Sequence, residues 1–385
     1  MRRWLAPCLM LLALGGCGRD DSAPRGGGFA GLGSAVGGFR EVVPGVPLAF
    51  PRDHGAHEGF RIEWWYITAN LIDDQMRPWG VQWTLFRSAL RPEGGSGWSD
   101  PNVWMGHVAL TGPHGHRHAE AFARGGIGQA GVNADPFRAW IDGWTLQARS
   151  SGAADGGCGD QGPGDGLRQL VLAVAAPGLA YELNLDACGP LVLHGEEGYS
   201  RKSGQGQASY YYSQPFLRVD GHVEHEGRRH HVRGQAWLDR EWSSQPLTAD
   251  QQGWDWFSLH FAQAGIGAIP EQPARNPTGH KLMVFQVRHV SGDAYRAGTW
   301  VTPDGRAVTL RADQIRLLAL EHTRLANGRR VPTRWRVEVP DFGVDAEVVA
   351  LEPGAWMDTT FPYWEGPVTV SGSATGVGYL EMTGY

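Results

Sequence analysis

Glu63-Trp64-Trp65-Tyr66-Ile67-Thr68 and Asp255-Trp256-Phe257-Ser258-Leu259 are the two stretches on which the fold turns. Each sets a carboxylate ahead of an aromatic and aliphatic run without glycine or proline, and each precedes a second apolar run, at 81–87 and at 282–288. Runs of this length and composition, bounded by Gly, Pro, Asp and Asn, read as strands. Further runs stand at 62–71, 103–110, 170–175 and 179–185. Arg334-Trp335-Arg336-Val337-Glu338-Val339 alternates with period two, so its charges face one way and its apolar groups the other. Turn signals every ten or so residues make antiparallel sheets, in a sandwich or barrel. Segment 312–325 fits a helix by length and composition, and a strand at 315–320 fits the spacing equally.

The two stretches head a weak internal repeat. An aromatic-turn-strand unit follows in each half, at 140–148 and 333–339, and each half closes on tyrosines and a glycine-containing strand. Those closing pairs are 210–223 with 232–242, and 362–371 with 376–385. The reading is all-β: two tandem barrel-like domains at 42–245 and 246–385, the first carrying a Gly/Asp-rich insertion at 151–166.

Composition narrows the function classes. The chain of 385 residues holds 56 glycines, about twice the usual ~7%, but without collagen period. Its 42% hydrophobic content is enough for a core, which excludes wholesale disorder. A net charge of −6 argues against nucleic acid as a partner. Four cysteines are too few for a disulfide scaffold.

The N-terminus reads as an export signal. Met1-Arg2-Arg3 precedes a short apolar run that ends at Gly16, too short for the ~20 residues that span a bilayer. Leu14-Gly15-Gly16-Cys17 has the pattern of a bacterial lipobox, which makes 1–16 a lipoprotein signal peptide and Cys17 the lipidated residue. Residues 17–41 are then a glycine-rich flexible tether. The expected address is the periplasmic side of the envelope, and Gly18 favours the outer membrane. Cys158 and Cys188 are the cysteines left in the mature body, where the periplasm permits a disulfide; paired and unpaired states are both open.

Several distinctive runs carry a resemblance. They are Phe50-Pro51-Arg52-Asp53-His54-Gly55-Ala56-His57, Ala208-Ser209-Tyr210-Tyr211-Tyr212-Ser213, Trp237-Leu238-Asp239-Arg240-Glu241-Trp242, Gly253-Trp254-Asp255-Trp256-Phe257 and the C-terminal Gly378 to Tyr385. Together they resemble the AttH-like family of tandem lipocalin-like proteins, often labelled secreted hydrolases and related to the carotenoid 1,2-hydratases. The resemblance covers 45–385. It implies two lipocalin-like barrels, a hydrophobic small molecule as ligand and an envelope ABC transporter as a partner. It also sets the hydratases' acid carboxylate on Asp239, while Tyr210, Tyr212 and Trp237 replace their histidine, tryptophan and tyrosine. Carotenoid hydration itself is put in doubt by those changes.

The residues support an acid. Hydration of an isolated C=C needs a proton donor strong enough to make a carbocation, and a carboxyl kept neutral by apolar surroundings supplies one. Aromatic faces stabilise the cation. Asp239 among Trp237, Trp242, Tyr210 and Tyr212 fits that description; Glu63, Glu241 and Asp255 are rivals. A buried structural pairing with arginine is the competing reading for each. Glu63 and Asp255 hold equivalent places in the two repeats, which favours fold-building. Tyr210, Tyr212, Trp237, His194, Trp65 and Glu63 are the candidate ligand contacts, with barrel packing as the alternative. His114, His116 and His118 alternate beside a turn signal and read as a hairpin tip rather than a metal site.

There is no Gly-x-Ser-x-Gly, Walker A or His-Glu-x-x-His motif, so a serine or zinc hydrolase is disfavoured and no cofactor is expected. The sequence favours a lipid-anchored envelope protein that binds an isoprenoid- or lipid-like molecule in or between its barrels. The alternative is an acid-catalysed hydratase or cyclase on an isoprenoid.

Overall fold

The structure, a computed structural model, describes residues 37–149, 158, 166–245, 248, 250–262 and 279–385. Lipidation at Cys17 and the signal peptide lie outside the described residues. Apart from short 3-10 turns, the described elements are strands in two antiparallel sheets.

The first sheet is built from β1 (Ile62–Asp73), β2 (Pro78–Ala89), β3 (Asn102–Gly112), β4 (Gly115–Arg124), β5 (Ala130–Ala134), β6 (Phe137–Ile141), β7 (Trp144–Ala148), β8 (Gln169–Ala176), β9 (Leu179–Ala187), β10 (Val192–Leu193), β11 (Tyr199–Arg201), β12 (Ala208–His225) and β13 (Arg228–Ser243). Its order is β4-β3-β2-β1-β13-β12-β9-β8-β7-β6-β5, with β10 and β11 added to β12. It curls until β6 comes back against β2, β3 and β4.

The second sheet comprises β14 (Gln251–Phe261), β15 (Lys281–His289), β16 (Ala294–Val301), β17 (Ala307–Leu310), β18 (Arg316–Arg324), β19 (Arg330–Val339), β20 (Val344–Ala350), β21 (Trp356–Met357), β22 (Tyr363–Gly372) and β23 (Gly376–Met382). It runs β17-β16-β15-β14-β23-β22-β20-β19-β18. Each sheet therefore pairs the first strand of its repeat with the last, β1 with β13 and β14 with β23. This is the lipocalin-like architecture expected.

Alternation along the strands sorts side chains to two faces. From β1, Trp65 and Ile67 enter the core of the first sheet with Leu85, Leu238 and Trp242. From β14, Phe257 and Leu259 fill the second with Trp335, Trp364 and Leu380. The opposite face of an antiparallel sheet usually meets water. Here the two outer faces meet each other: Tyr211 and Trp237 pack on Met283, Phe285 and Val287. Strands β1, β12 and β13 are thus covered on both sides, which is why their sequences read as continuous aromatic and apolar runs.

Segment 312–325 resolves to a 3-10 turn at Ala312–Gln314 and then β18, a strand rather than a helix. Pairing with β19 decides it, with Arg316 opposite Glu338 and their side chains 3.1 Å apart. Cys158 and Cys188 form a disulfide, which ties the Gly/Asp-rich insertion to the end of β9. His114 sits beside the turn between β3 and β4, while His116 and His118 belong to β4 and face the second sheet. His116 Nε2 lies 3.4 Å from Met357 Sδ, and His118 Nε2 accepts the Asp358 N–H at 3.1 Å. The described residues hold no group of three or more His, Cys, Asp or Glu placed to share a metal ion.

Candidate active site between the sheets

Adjacent residues of β13 point to opposite faces, and this separates the candidates into two groups. Arg240 enters the core of the first sheet and Asp239 faces the second sheet. Glu63, Trp65, Tyr210 and Tyr212 lie on the Arg240 side. Glu63 Oε2 takes Arg240 Nη2 at 3.0 Å, Oε1 takes Arg87 Nε, and His57 lies 3.1 Å away. Burial pushes the Glu63 carboxyl up, but Arg87, His57 and Arg240 more than reverse this and hold it below the carboxylate range. The Arg240 guanidinium stacks 3.9 Å over Trp65. Asp255 takes the corresponding structural part in the second sheet, accepting from Gln286 and Tyr385 at 2.8 Å each, with Arg288 at 3.2 Å.

Tyr210 and Tyr212 belong to the same structural set. Tyr210 donates to the Val43 carbonyl at 3.0 Å, and Tyr212 meets His54 Nδ1 at 2.6 Å. They hold the N-terminal strap against the barrel, and neither they nor Trp65 lines a pocket with Asp239. Period two accounts for this, because Tyr210 and Tyr212 alternate with Tyr211, and it is Tyr211 that shares the face of Asp239.

On that face lies a cavity of about 600 Å³ between the sheets, within the ~300–1,000 Å³ usual for small-molecule sites. Its walls are aromatic and apolar: Trp64, Tyr66, Phe86, Met105, Tyr211, Trp254, Trp256 and Phe285. Asp239, Glu241, Glu381 and Lys202 supply its charge chemistry. Glu63 contributes to the rim, but its carboxylate is committed to Arg87 and Arg240.

Asp239 is held by a chain of buried groups. Thr299 Oγ1 lies 2.8 Å from His194 Nδ1, and His194 Nε2 lies 2.6 Å from Ser213 Oγ, which donates to Asp239 Oδ1. Trp237 Nε1 donates to the same oxygen at 2.7 Å. Burial, with Lys202 adding to it, lowers His194 to about 3, so the ring is neutral and orients rather than charges the chain. Desolvation raises Asp239 to about 7 against the pull of Ser213 and Trp237, and Glu241 adds to the rise. Oδ1 is taken by two donors, and Tyr211 is also hydrogen-bonded to the carboxyl. His194 and Trp237 therefore stand behind Asp239 as positioning residues and are not part of the cavity wall.

Three groups in the wall were not among the candidate contacts. Glu381 accepts from Trp254 Nε1 at 2.6 Å and is raised by burial to about 7, with Asp239 and Glu241 contributing. Lys202 pairs with Glu241 at 2.7 Å and lies 4.6 Å from the ring centres of Tyr211 and Phe285. Tyr211 accepts from Trp256 Nε1 at 3.2 Å. The repeat contains the signal for Glu381: Trp237-Leu238-Asp239 matches Tyr379-Leu380-Glu381. Asp239 lies opposite Tyr66 and Glu381 opposite Trp256. Lys202 and Tyr211 carry no such mark.

Two curled antiparallel sheets, packed outer face to outer face around an acid-bearing aromatic cavity, define a tandem lipocalin-like protein. The chain belongs to the AttH-like family, whose sequence pattern it matches over residues 41–385. A crystal structure of an AttH-type protein from Nitrosomonas europaea is 31% identical, with a TM-score of 0.74 over 90% of this chain and all of that one. Kievitone hydratase from Nectria haematococca has the same fold at 13% identity and a TM-score of 0.61, over 90% of this chain and 95% of that one. No curated protein sequence matches this one.

Proposed function

We propose that this chain is an acid-catalysed enzyme of the hydratase, cyclase or isomerase type, acting on an unsaturated hydrophobic molecule in the cavity between the sheets. The observation that carries the reading is Asp239: a buried carboxyl raised by desolvation to about 7 in the wall of an aromatic cavity. The structural relationship to a hydratase agrees with it at the level of the fold.

In the hydration form, the Asp239 carboxyl O–H bond breaks as the proton joins one alkene carbon, leaving a cation on the other. The faces of Trp256, Tyr66 and Tyr211 stabilise that cation. Water adds to it and passes a proton to Glu381 or back to the Asp239 carboxylate, so the net change is addition of one water. In a cyclase a second double bond of the substrate takes the place of water, and a carboxylate removes a C–H proton.

The address is proposed on the N-terminal sequence: lipidation at Cys17 would hold the enzyme at the periplasmic face of the outer membrane, where isoprenoid and acyl compounds partition. An envelope ABC transporter is the proposed source or recipient of the compound. A carrier is the second reading, favoured by the apolar walls.

The test is native mass spectrometry with lipid extraction on wild type and Asp239→Asn, each purified from its own membrane. The enzyme reading expects the variant to retain substrate, and for hydration the wild-type compound is one water heavier. An identical compound in both proteins supports the carrier and overturns the acid.

A further inference from the structure

Exposed apolar residues are ordinarily scattered singly over a protein surface. Here four of them gather near the β4 edge of the first sheet. Leu90 and Trp98 belong to the loop between β2 and β3, Phe122 to β4, and Ile127 to the turn that follows it. Trp98 is 74% exposed and Leu90 66%, more than any other large apolar side chain among the described residues. Hydrogen bonds and close packing join the four into one lip. Leu90 N–H donates to the Pro101 carbonyl at 3.0 Å, and Arg91 Nη2 to the Ser99 carbonyl at 2.7 Å. The Arg124 guanidinium donates to the Trp98 carbonyl and lies 5.7 Å from the centre of its ring. The turn that carries Ile127 is pressed on the same loop, since Gly126 leaves no room for a Cβ against the Gly97 carbonyl.

Two observations say what covers this lip. The first is the cavity. Of its wall residues, Leu90, Phe122 and Thr360 are the exposed ones, so the cavity opens at the lip. A hydrophobic molecule that fits those walls partitions into lipid rather than water. The second is the course of the chain. Gly38, near the first described residue, packs on Pro92 of the same loop: a Cβ built on it would stand 2.8 Å from Pro92 Cγ. Residues 18–36 join this point to Cys17, so the lip is the side of the body from which the proposed anchor departs. The chemistry of the lip also suits the headgroup boundary, where tryptophan is enriched. Arg91 and Arg124 bond to no acid among the described residues and leave most of their N–H donors for lipid phosphates, with Glu93 as the exposed acid of the same loop.

We propose that Leu90, Trp98, Phe122 and Ile127, flanked by Arg91 and Arg124, dock on a lipid bilayer so that the cavity opens into it and takes its ligand from it. The proposal rests on the reading that the cavity holds a hydrophobic molecule and does not depend on Asp239; a carrier needs the same lip. A protein seated on the lip is the competing occupant. Leu318 and Leu320, exposed on the edge strand β18, form a second apolar pair that lines no part of the cavity, and they serve as the internal control.

The test places the full chain in vesicles of phosphatidylethanolamine and phosphatidylglycerol that carry a diazirine on one acyl chain. After illumination, mass spectrometry locates the lipid adducts. Adducts are expected at Trp98 and Ile127 and not at Leu318 or Leu320. Trp98→Asp sets a carboxylate at the tip, which is costly to place in hydrocarbon, while keeping the cavity wall and the N-terminus; Ile127 should then lose its adduct. Ile127→Asp, read at Trp98, repeats the test should the first variant fail to fold. A lip without adducts, or β18 labelled to the same extent, overturns the docking. An undiminished Ile127 adduct in folded Trp98→Asp shows contact through the tether alone and also overturns it. A lip shielded from hydroxyl-radical oxidation in the native membrane, yet unlabelled by lipid, assigns the surface to a protein instead. A labelled lip on a chain without lipid at Cys17 supports the docking and removes only the anchor. None of these readouts involves Asp239, so the acid reading stands or falls separately.

Discussion

Replacing Asp239 by asparagine should make the protein more stable at neutral pH while removing its acid. The Asp239 carboxyl rises from an ordinary 3.8 to about 7 on folding. Between those values the folded protein holds a proton that the unfolded chain has released, so stability falls as pH rises. Below 3.8 both states are protonated and the residue costs nothing; above 7 both are ionised and the cost is complete. A gap of roughly three pH units at about 1.4 kcal/mol each sets an upper limit of about 4 kcal/mol. Asparagine offers Ser213 and Trp237 the same acceptor at Oδ1 without the charge, and its amide group faces Tyr211. Allowing for that imperfect replacement, we expect a gain of about 2 kcal/mol or more at pH 8. At pH 3.5 the gain should vanish. The assay is urea unfolding followed by tryptophan fluorescence at pH 3.5, 6 and 8, comparing midpoints at unchanged slope. A variant less stable than wild type at pH 8, or one with the wild-type dependence on pH, would refute a protonated, desolvated Asp239. Loss of the Asp239 charge should also let Glu381 ionise at lower pH, since that charge contributes to its rise.

Two other buried charges should behave in contrasting ways. Glu63→Gln strips the partner from Arg87 and Arg240, and leaving those guanidiniums buried is expected to cost about 3–5 kcal/mol in the same unfolding assay. Because the folded Glu63 sits below its ordinary range, its contribution should be present above about pH 4.5 and fade as pH falls; an unchanged midpoint at pH 7 would show that the cluster is not a structural plug. Lys281 is buried on the outer face of β15, with no hydrogen-bond partner for Nζ among the described residues, and desolvation lowers it from 10.5 to about 7. The unfolded chain binds the extra proton between those values, so stability should climb from pH 7 to pH 10. Lys281→Met should flatten that climb and add roughly 2–4 kcal/mol at pH 7; a destabilised variant would mean that the ammonium has a counter-charge.

Much of the fold is legible in the sequence because strand periodicity is local. The alternation at 334–339, the turn spacing and the repeated carboxylate-aromatic headers at 63–68 and 255–259 are enough for two antiparallel sheets in one order. The short segment at 312–325 was ambiguous because its strand forms only by pairing with β19, and nothing within the segment states that pairing. Asp239 was reachable as an acid because it stands in an aromatic run at the end of a repeat. Its partners were not. Tyr210 and Tyr212 adjoin the site in sequence yet face the other side of the sheet, and Glu381 comes from a strand more than a hundred residues away.

The sequence by itself determined the strands, their doubling and the residue types available for acid chemistry, since these depend on neighbours one to a few positions apart. Only the tertiary structure decided which carboxylates are paired and which are protonated. Glu63 and Asp239 are both buried acids amid tryptophans, and nothing local distinguishes them. The sheet sends Glu63 inward to Arg87 and Arg240 and Asp239 outward to the aromatic cavity, where Ser213 and Trp237 rather than an arginine hold it. Ionisation follows the sum of desolvation and nearby charge, and that sum exists only once both sheets are in place.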